Sequence, residues 1–383
     1  MFNRRIFLAN MAAGGVLLTA APQFAFARAE TDRRLVMIIQ RGAADGLATV
    51  IPTGDPQFAA QRRDFAAEAD QALRLDGDFK LHPALAETKR LYDARQALFA
   101  HAVASPYRER SHFDGQNVLE TGGRLPYRIS DGWLNRLLGL LPGADMNAIA
   151  LAATVPVILR GSEPASNYAP SALPDANADL LERVGSMYES DAMLHALWDQ
   201  AMETEEMAGD IATRQRINSA EMGTLAARLM SGPDGARLMV IETGGWDTHI
   251  NQTNRLAAEL RGLDAGIAAL RDGLGSAWDD TLVIVATEFG RTVVPNGTRG
   301  TDHGTASAAM LIGGVVEGGR VLADWPGLAP AQLHEGRDLK PTQPLEALLA
   351  GASAAHFGID PLRAQRALFP DSPARPAEGL LRS

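Results

Sequence analysis

The chain contains no cysteine among its 383 residues, which excludes disulfide bonds and thiolate chemistry. A transition-metal site in this chain can therefore use only histidine, aspartate and glutamate as ligands. Positive charge is also scarce, because 36 Lys and Arg residues stand against 46 Asp and Glu residues, for a formal net charge of −10. With this charge and no basic stripe, we do not expect nucleic acid as a partner.

Hydrophobic residues make up 46% of the chain and charged residues 21%, which is typical of a soluble globular protein with a substantial core. The length allows one large α/β domain or two ordinary domains.

The first 29 residues have the pattern of a twin-arginine signal peptide. Arg4 and Arg5 precede a mildly apolar run that is rich in Ala and Gly, and Ala25, Ala27 and Ala29 form two A-x-A cleavage sites. The run is short, so we expect removal of the segment rather than a membrane anchor. This predicts the twin-arginine translocase as a partner during export, a periplasmic or secreted location, and no stable membrane span after cleavage.

Short apolar runs that end in glycine or polar clusters indicate strands buried on both faces. These runs are "RRLVMIIQRGAADG", "ALFAHAVASP", "IALAATVPVILRG", "RLMVIETGGWDTH", "TLVIVATEFGR" and "AAMLIGGVV". Helical patterns lie between them, and such alternation favours a largely parallel sheet covered by helices on both sides. We therefore predict one α/β domain over residues 30–383, an α/β/α sandwich with a mainly parallel sheet.

Three further segments carry local predictions. Residues 253–274 place apolar side chains at helical spacing, with Thr253 as a possible N-cap. Residues 162–232 are rich in Ala, Met and Glu, and they interrupt the strand and helix rhythm, so we predict a helical insertion within the domain. The last residues, 370–383, are predicted to be loosely ordered.

Polar residues gather where the predicted strands end, which is where open parallel sheets bind ligands. The motifs, in chain order, are "RGAADGL" with Arg41 and Asp45, "SHFDGQ" with Ser111, His112 and Asp114, "GGWDTH" with Asp247 and His249, "TEFGRT" with Glu288 and Arg291, and "GTDHG" with His303. Each motif alone could be a turn or loop. Together, their imidazoles and carboxylates suit Zn²⁺, Mn²⁺ or Fe, or a two-metal site that includes Mg²⁺ or Ca²⁺.

These five motifs resemble, in the same order and over nearly the whole chain, those of a bacterial family catalogued as domain of unknown function 1501. That family looks like a remote branch of the alkaline phosphatase and sulfatase superfamily. The resemblance implies an alkaline-phosphatase-like fold and the hydrolysis of phosphate or sulfate esters with one or two divalent metal ions. The substrate class would be a small-molecule or polymer ester.

The resemblance also implies roles for individual residues. The implied metal ligands are Asp45, Asp247, His249, Glu288 and His303. The implied substrate-binding residues are Arg41, Asp114 and Arg291, although the two arginines could instead pair with Asp45 and Glu288. Ser111 could be the nucleophile at a helix start or only the cap of that helix, since Ser111-x-x-Asp114 is also a capping box. His112 could be a metal ligand or an acid/base.

The sequence also departs from the superfamily pattern. Glu288 is followed by Phe289, where the superfamily usually has a histidine ligand, and Asp247 and His249 are spaced more tightly than the usual pair. The "SPYR" sequence at 105–108 does not match the pattern of formylglycine sulfatases. The missing histidine and the undecided nucleophile leave an alternative function, a non-catalytic periplasmic binding or assembly protein that keeps the fold and one metal.

Overall fold

The computed structural model describes residues 31–141, 147–169, 178–188, 217–233 and 235–382, with isolated residues between 191 and 204. The predicted signal peptide lies outside the described residues, as does part of the predicted insertion. No helix in the described part of the chain is both long enough and apolar enough to cross a membrane.

The strands fall into a large sheet and a small one. They are β1 (Arg34–Gln40), β2 (Val50–Ile51), β3 (Leu73–Arg74), β4 (Lys80–Leu81), β5 (Ala97–Ala104), β6 (Ala148–Leu151), β7 (Ser166–Tyr168), β8 (Leu238–Thr243), β9 (Thr281–Ala286), β10 (Ser307–Ile312), β11 (Arg320–Leu322) and β12 (Gln343–Pro344). The small sheet has the order β2-β4-β3, and all the others join the large sheet.

Helices connect most of the strands. They are α1 (Gly46–Thr49), α2 (Phe58–Gln61), α3 (Ala66–Gln71), α4 (Ala86–Asp93), α5 (His112–Thr121), α6 (Trp133–Leu138), α7 (Ala178–Tyr188), α8 (Ser219–Met230), α9 (Gln252–Leu274), α10 (Leu345–Phe357) and α11 (Pro361–Leu368). Short 3₁₀ turns complete several of the connections.

The large sheet has the order β11-β5-β10-β9-β1-β8-β6-β7, with β12 also paired to β5. Its pairings are parallel except those of β10, which runs antiparallel to both β5 and β9. The carboxyl ends of β1, β5, β8 and β9 therefore lie at the same edge as the amino end of β10. This arrangement confirms the predicted α/β class with a mainly parallel sheet.

Alternate residues of each strand supply two hydrophobic cores, because successive side chains point to opposite faces of a sheet. In β1, Val36 and Ile38 join the core under α4, α8 and α9. Leu35, Met37 and Ile39 join the core under α5, α6, α10 and α11. Every β1 residue is buried, so the predicted helical layers on both faces of the sheet are confirmed.

Helix α9 follows the predicted apolar spacing, but it begins earlier than expected. Its buried stripe is Leu256, Leu260, Leu263, Ile267, Leu270 and Leu274. The N-cap is Asn251, which has a positive φ of 50°, and asparagine tolerates that left-handed conformation better than most residues. Gln252 is already helical and its N–H donates to the Arg299 carbonyl. The prediction of Thr253 as the N-cap is therefore wrong.

The C-terminal tail is packed rather than loose. The Ala377 N–H donates to the Ala347 carbonyl at 2.9 Å, Leu380 is buried, and Leu381 bridges to Val316. The prediction of loose order for residues 370–383 is therefore wrong, because backbone hydrogen bonds and an apolar anchor hold a segment whose composition resembles a loop.

The described parts of residues 162–232 contribute to both the sheet and a helical layer. Strand β7 pairs with β6 at the sheet edge, and α8 packs along α9 through residues such as Leu225 and Leu229. The boundaries of an insertion there stay a prediction.

Candidate metal centre

Three elements bring the predicted ligands to one edge of the large sheet. His112 is the first residue of α5, Asp247 follows β8, and His303 precedes β10. Because β10 is antiparallel to its neighbours, a residue before this strand reaches the same edge as residues that follow the other strands. The sequence prediction that His303 belongs with the strand-end residues depends on this reversal.

Ligand atoms of His112, Asp247 and His303 lie within 4.8 Å of one another and form a group that could hold a metal ion. The Nε2 atoms of His112 and His303 are 2.9 Å apart. Asp247 Oδ1 is 3.2 Å from His303 Nε2, and Asp247 Oδ2 is 3.6 Å from His112 Nε2. Two imidazoles and one carboxylate are a ligand set found in zinc sites.

His249 borders this group from the more exposed side. Its Nε2 lies 2.9 Å from Asp247 Oδ1 and 3.0 Å from His303 Nε2. The predicted ligands Asp247, His249 and His303 are therefore brought together, and His112, whose role the sequence left open, joins them.

Each of these histidines is held by its other ring nitrogen. His112 Nδ1 lies 2.8 Å from Glu288 Oε1, His303 Nδ1 lies 3.0 Å from the Arg110 carbonyl, and His249 Nδ1 lies 3.0 Å from Asp302 Oδ1. A carboxylate and a carbonyl only accept, so in neutral rings each Nδ1 carries the proton and each Nε2 presents a bare lone pair. Converging lone pairs beside a carboxylate repel unless a cation lies between them.

The pKa shifts in the group agree with this crowding. The hydrogen bond to Glu288 raises the pKa of His112, although burial opposes it. Burial lowers the pKa of His303, and the positive charges of His112 and Arg291 lower it further. Burial alone would raise the pKa of Asp247, but the hydrogen bond from Arg291 and the charges of Arg291, His249 and His303 together outweigh it, and the pKa is lowered. The shifts favour the ionised form of Asp247 and the neutral form of His303, which metal binding requires, whereas the shift of His112 favours its protonated form, whose proton a bound metal would have to displace.

Glu288 is buried at the end of β9 and supports the group from behind. Its Oε1 accepts from the Gly42 N–H at 2.9 Å and from Gln116 Nε2 at 3.2 Å, in addition to His112. Its Oε2 accepts from the Thr287 hydroxyl at 2.8 Å. The structure therefore places this predicted ligand as the carboxylate that orients His112, an arrangement common in zinc sites.

Asp45 is not part of the group. It is the N-cap of α1, where Oδ1 accepts from the Ala48 N–H at 3.1 Å. Its Oδ2 accepts from Arg62 Nη2 at 2.5 Å and from Gln252 Nε2 at 2.6 Å. Protein donors thus bond to both oxygens of this buried carboxylate, and the structure does not bring the predicted ligand Asp45 to the group.

The two predicted substrate-binding arginines are engaged within the protein. Arg291 has no exposed side-chain surface, and its Nη1 donates to Asp247 Oδ1 at 2.6 Å. Arg41 donates to Glu120 Oε1 at 2.9 Å and also pairs with Glu242. The alternative that these arginines form ion pairs is the arrangement found, but their partners are Asp247, Glu120 and Glu242 rather than Asp45 and Glu288.

Ser111 occupies the N-cap position of α5, yet its side chain makes no capping hydrogen bond. Its backbone N–H donates to the Tyr107 hydroxyl at 3.1 Å. The predicted capping box with Asp114 is therefore absent, and the Asp114 carboxylate instead accepts from the Tyr107 hydroxyl at 3.4 Å. The Ser111 hydroxyl therefore does not cap the helix, which was the alternative to its role as the nucleophile.

Two supporting residues lie inside the motifs, but the sequence alone assigned them no role. Asp302 orients His249, and Gln116 connects Arg41 Nη1 at 2.9 Å with Glu288. Asp302 directly precedes the predicted ligand His303, so its position in the sequence already indicated a carboxylate close to the metal group. Gln116 ends the "SHFDGQ" motif, and helical spacing places it one turn after His112.

The comparisons with known proteins add a family. The family model described as "Protein of unknown function (DUF1501)" matches residues 94–368. The search of the curated proteins finds no match.

Solved structures with a similar chain path include three with related descriptions. The C-terminal periplasmic domain of EcEptC from Escherichia coli, in complex with Zn, has 8% identity and a TM-score of 0.38, with 77% of each chain covered. A protein in the alkaline phosphatase superfamily from Vibrio parahaemolyticus has 12% identity and a TM-score of 0.37, covering 82% of this chain and 69% of that chain. Alkaline phosphatase from the Antarctic bacterium TAB5 has 10% identity and a TM-score of 0.36, and the match covers 76% of this chain and 94% of that chain.

Proposed function

The chain belongs to the family of proteins of unknown function DUF1501, and we propose that it is an exported, metal-dependent hydrolase of phosphate or sulfate esters. The observation that carries the proposal is the convergence of His112, Asp247 and His303 on one point. Its substrate is a small-molecule or polymer ester.

The donor set fits a divalent ion such as Zn²⁺, Mn²⁺ or Fe²⁺. Nitrogen and carboxylate ligands without sulfur suit these ions, and the bare Nε2 atoms need a positive partner. His112, Asp247 and His303 alone supply three donors, the number that catalytic zinc sites combine with an open fourth position. A bound ion would polarise an ester oxygen and lower the pKa of a bound water.

The chain's own residues prepare the centre for that chemistry. Glu288 and Asp302 fix the ring orientations of His112 and His249. Arg291 holds Asp247 as an anion. Ser111 is the N-cap of α5 and its hydroxyl makes no capping hydrogen bond, and the N-terminus of a helix favours an anionic oxygen. We propose Ser111 as the nucleophile.

One observation favours the alternative, a non-catalytic binding or assembly protein. Both Asp45 and Glu288 accept protein donors on both oxygens, and the described residues form one group of possible metal ligands. A single ion without the two-metal clamp of many phosphate-transfer enzymes is compatible with a binding role. Export by the twin-arginine route, supported by the N-terminal sequence pattern, belongs to both proposals.

Metal analysis of the purified, folded protein tests the centre. We expect roughly one equivalent of a divalent metal per chain, and its loss in the His303→Ala and Asp247→Ala variants. His195→Ala is the matched control, because that side chain is half exposed and pairs with Asp199 outside the centre. Metal-free wild-type protein that does not take up zinc, manganese or iron contradicts the proposal.

A screen of aryl phosphates, phosphodiesters and aryl sulfates then separates catalysis from binding. Turnover that requires the metal and disappears in Asp247→Ala supports the hydrolase, and its loss in Ser111→Ala supports the nucleophile. Stoichiometric metal without turnover of any of these esters favours the binding protein.

A further inference from the structure

Asp45 lies in the first motif of the sequence but outside the metal group. A series of hydrogen bonds between buried side chains connects it to that group. The members of this series, which we call the Asp45 network, are Asp45, Arg62, Gln252, Thr301 and Arg291, each at most 1% exposed. The network ends on the ligand Asp247. We infer that Asp45 is a positioning residue, which fixes Asp247 through these partners, and this inference rests on the proposed metal-dependent function.

The first route runs through the Gln252 side chain. Its Nε2 donates to Asp45 Oδ2 at 2.6 Å, so its Oε1 faces the opposite way. That oxygen accepts from the hydroxyls of Thr301 at 2.5 Å and Thr248 at 2.9 Å. Because a carboxylate can only accept, Asp45 determines which end of the Gln252 amide meets the two threonines.

The orientation continues from Thr301 to the ligand. Since its hydroxyl proton is given to Gln252, the Thr301 oxygen is left as an acceptor for Arg291 Nε at 3.2 Å. Arg291 Nη2 also donates to the Thr301 carbonyl. These bonds leave Arg291 Nη1 aimed at Asp247 Oδ1, at 2.6 Å. In each hydrogen bond along this route, the donor and the acceptor are fixed by the preceding bond, and the first acceptor is Asp45.

The second route runs through Arg62 and the backbone. Arg62 Nη2 pairs with Asp45 Oδ2 at 2.5 Å. Its Nη1 donates to the carbonyls of Thr292 and Val293 at 3.1 and 3.2 Å. These residues directly follow Arg291, so the ion pair also anchors the segment that carries the arginine. Two routes from one carboxylate thus meet at Arg291.

Substitution of Asp45 by asparagine should therefore weaken metal binding without touching a ligand. An asparagine can present its amide to Gln252 and reverse it, which turns the Thr301 hydroxyl away from its acceptor role. We expect the Asp45→Asn variant to raise the zinc dissociation constant by roughly 10- to 100-fold, the range for partners that support metal ligands. Competition with a chelating dye measures this constant on folded protein.

Asp264→Asn is the matched control for the loss of a buried carboxylate. Asp264 is buried on α9, the helix that also carries Gln252, and it accepts from the Thr88 N–H and hydroxyl, both at 2.7 Å, neither of which belongs to the Asp45 network. This variant should lose stability and keep the wild-type zinc affinity. An equal loss of affinity in both variants would show that Asp45 acts only through general stability.

Two threonine variants test the route without removing a charge, in case Asp45→Asn does not fold. Thr301 and Thr248 both donate to Gln252 Oε1 and both are buried, but only Thr301 contacts Arg291. Thr301→Val should weaken zinc binding by roughly tenfold, and Thr248→Val should leave the affinity within about twofold of wild type.

The outcomes separate the inference from the proposed function. Wild-type zinc affinity in Thr301→Val, or equal effects of the two threonine variants, overturns the positioning role while the metal centre stands. The expected ranking of affinities without any ester turnover supports the positioning role and contradicts the hydrolase. A wild-type protein that binds no zinc overturns both.

Discussion

At the scale of single residues, the partners of a carboxylate decide whether it can bind a metal. Glu288 accepts protein hydrogen bonds on both oxygens, and its pKa is lowered because the hydrogen bond from His112 and others outweigh burial. Asp247 accepts from Arg291 on Oδ1, whereas its Oδ2 accepts no hydrogen bond from the residues that the structure describes and lies 3.6 Å from His112 Nε2. The second oxygen of Asp247 is therefore the one available to an ion.

Glu288→Gln should weaken the metal centre with little change in the fold. The Thr287 hydroxyl, which donates to Glu288 Oε2, can turn its proton to the Gln40 carbonyl 2.7 Å away and accept from the new amide, so the substituted side chain stays satisfied. His112 then loses its carboxylate partner, and we expect the zinc dissociation constant to rise roughly 10- to 100-fold. Dye competition for zinc and urea unfolding measure the two effects.

Glu346→Gln is the control for this prediction. Glu346 is buried on α10 and accepts from the Ser372 hydroxyl at 3.0 Å, away from the centre. Its variant should retain zinc affinity. If Glu288→Gln binds zinc as tightly as this control does, the Glu288 carboxylate does not strengthen metal binding through His112.

Residue roles were only partly predictable from the sequence. Histidine and carboxylate positions at strand ends identified Asp247, His249 and His303 as neighbours. The burial of Asp45 against Arg62 and Gln252 could not be predicted, because Gln252 is 207 positions away and neither partner belongs to a motif. A polar residue in a motif can therefore be assigned to a site by its position, but its role depends on distant partners.

At the scale of elements, the turn after β1 approaches the metal-site loop very closely. Gly42 has a φ of +120°, and a Cβ there would lie 2.7 Å from the Asp247 backbone nitrogen. Its own N–H donates to Glu288. The close contact of this turn with the loop after β8 therefore requires glycine.

Gly42→Ala should destabilise the protein and weaken zinc binding together. Strain at this φ costs roughly 1 to 3 kcal/mol, and relief of the clash has to displace Asp247. Gly77→Ala is the control, because Gly77 also has a positive φ, +55°, with no atom within 4 Å of the added Cβ. The control should cost about 1 kcal/mol and keep the wild-type zinc affinity. Urea unfolding and dye competition distinguish the two variants; equal zinc affinities contradict the prediction.

Elements were more predictable than residue roles. Continuous apolar runs gave the buried strands, and helical spacing gave α9, because both signals lie within a short stretch of sequence. The reversed direction of β10 was not predicted, since strand direction is set by pairing with β5 and β9. The packed tail was missed because its anchors, such as the Ala347 carbonyl, lie in another helix.

At the scale of the whole molecule, histidines buried away from the metal centre make the fold sensitive to acid. Burial lowers the pKa of His101 to about 4, and likewise lowers that of His82 to about 4 and that of His356 to about 3. His101 bonds through Nε2 to the Val50 carbonyl at 2.8 Å, and His356 bonds to the Arg34 carbonyl at 2.9 Å. His101 thus connects β5 to β2, and His356 connects α10 to β1, so protonation of these rings opposes the folded state.

We predict that acid destabilisation follows these histidines and can be reduced by replacing one of them. The unfolded chain binds protons near pH 6.5 and the folded chain near pH 4 at His101, so stability falls as the pH drops through that window. A shift of this size corresponds to about 3 kcal/mol for His101. His101→Gln, which keeps a donor for Val50, should lose stability near neutral pH but show a pH dependence smaller by about that amount. Urea unfolding of metal-free wild type and variant, at about pH 7 and about pH 4.5, measures the difference; parallel losses in both proteins would exclude His101 as a source of the acid sensitivity.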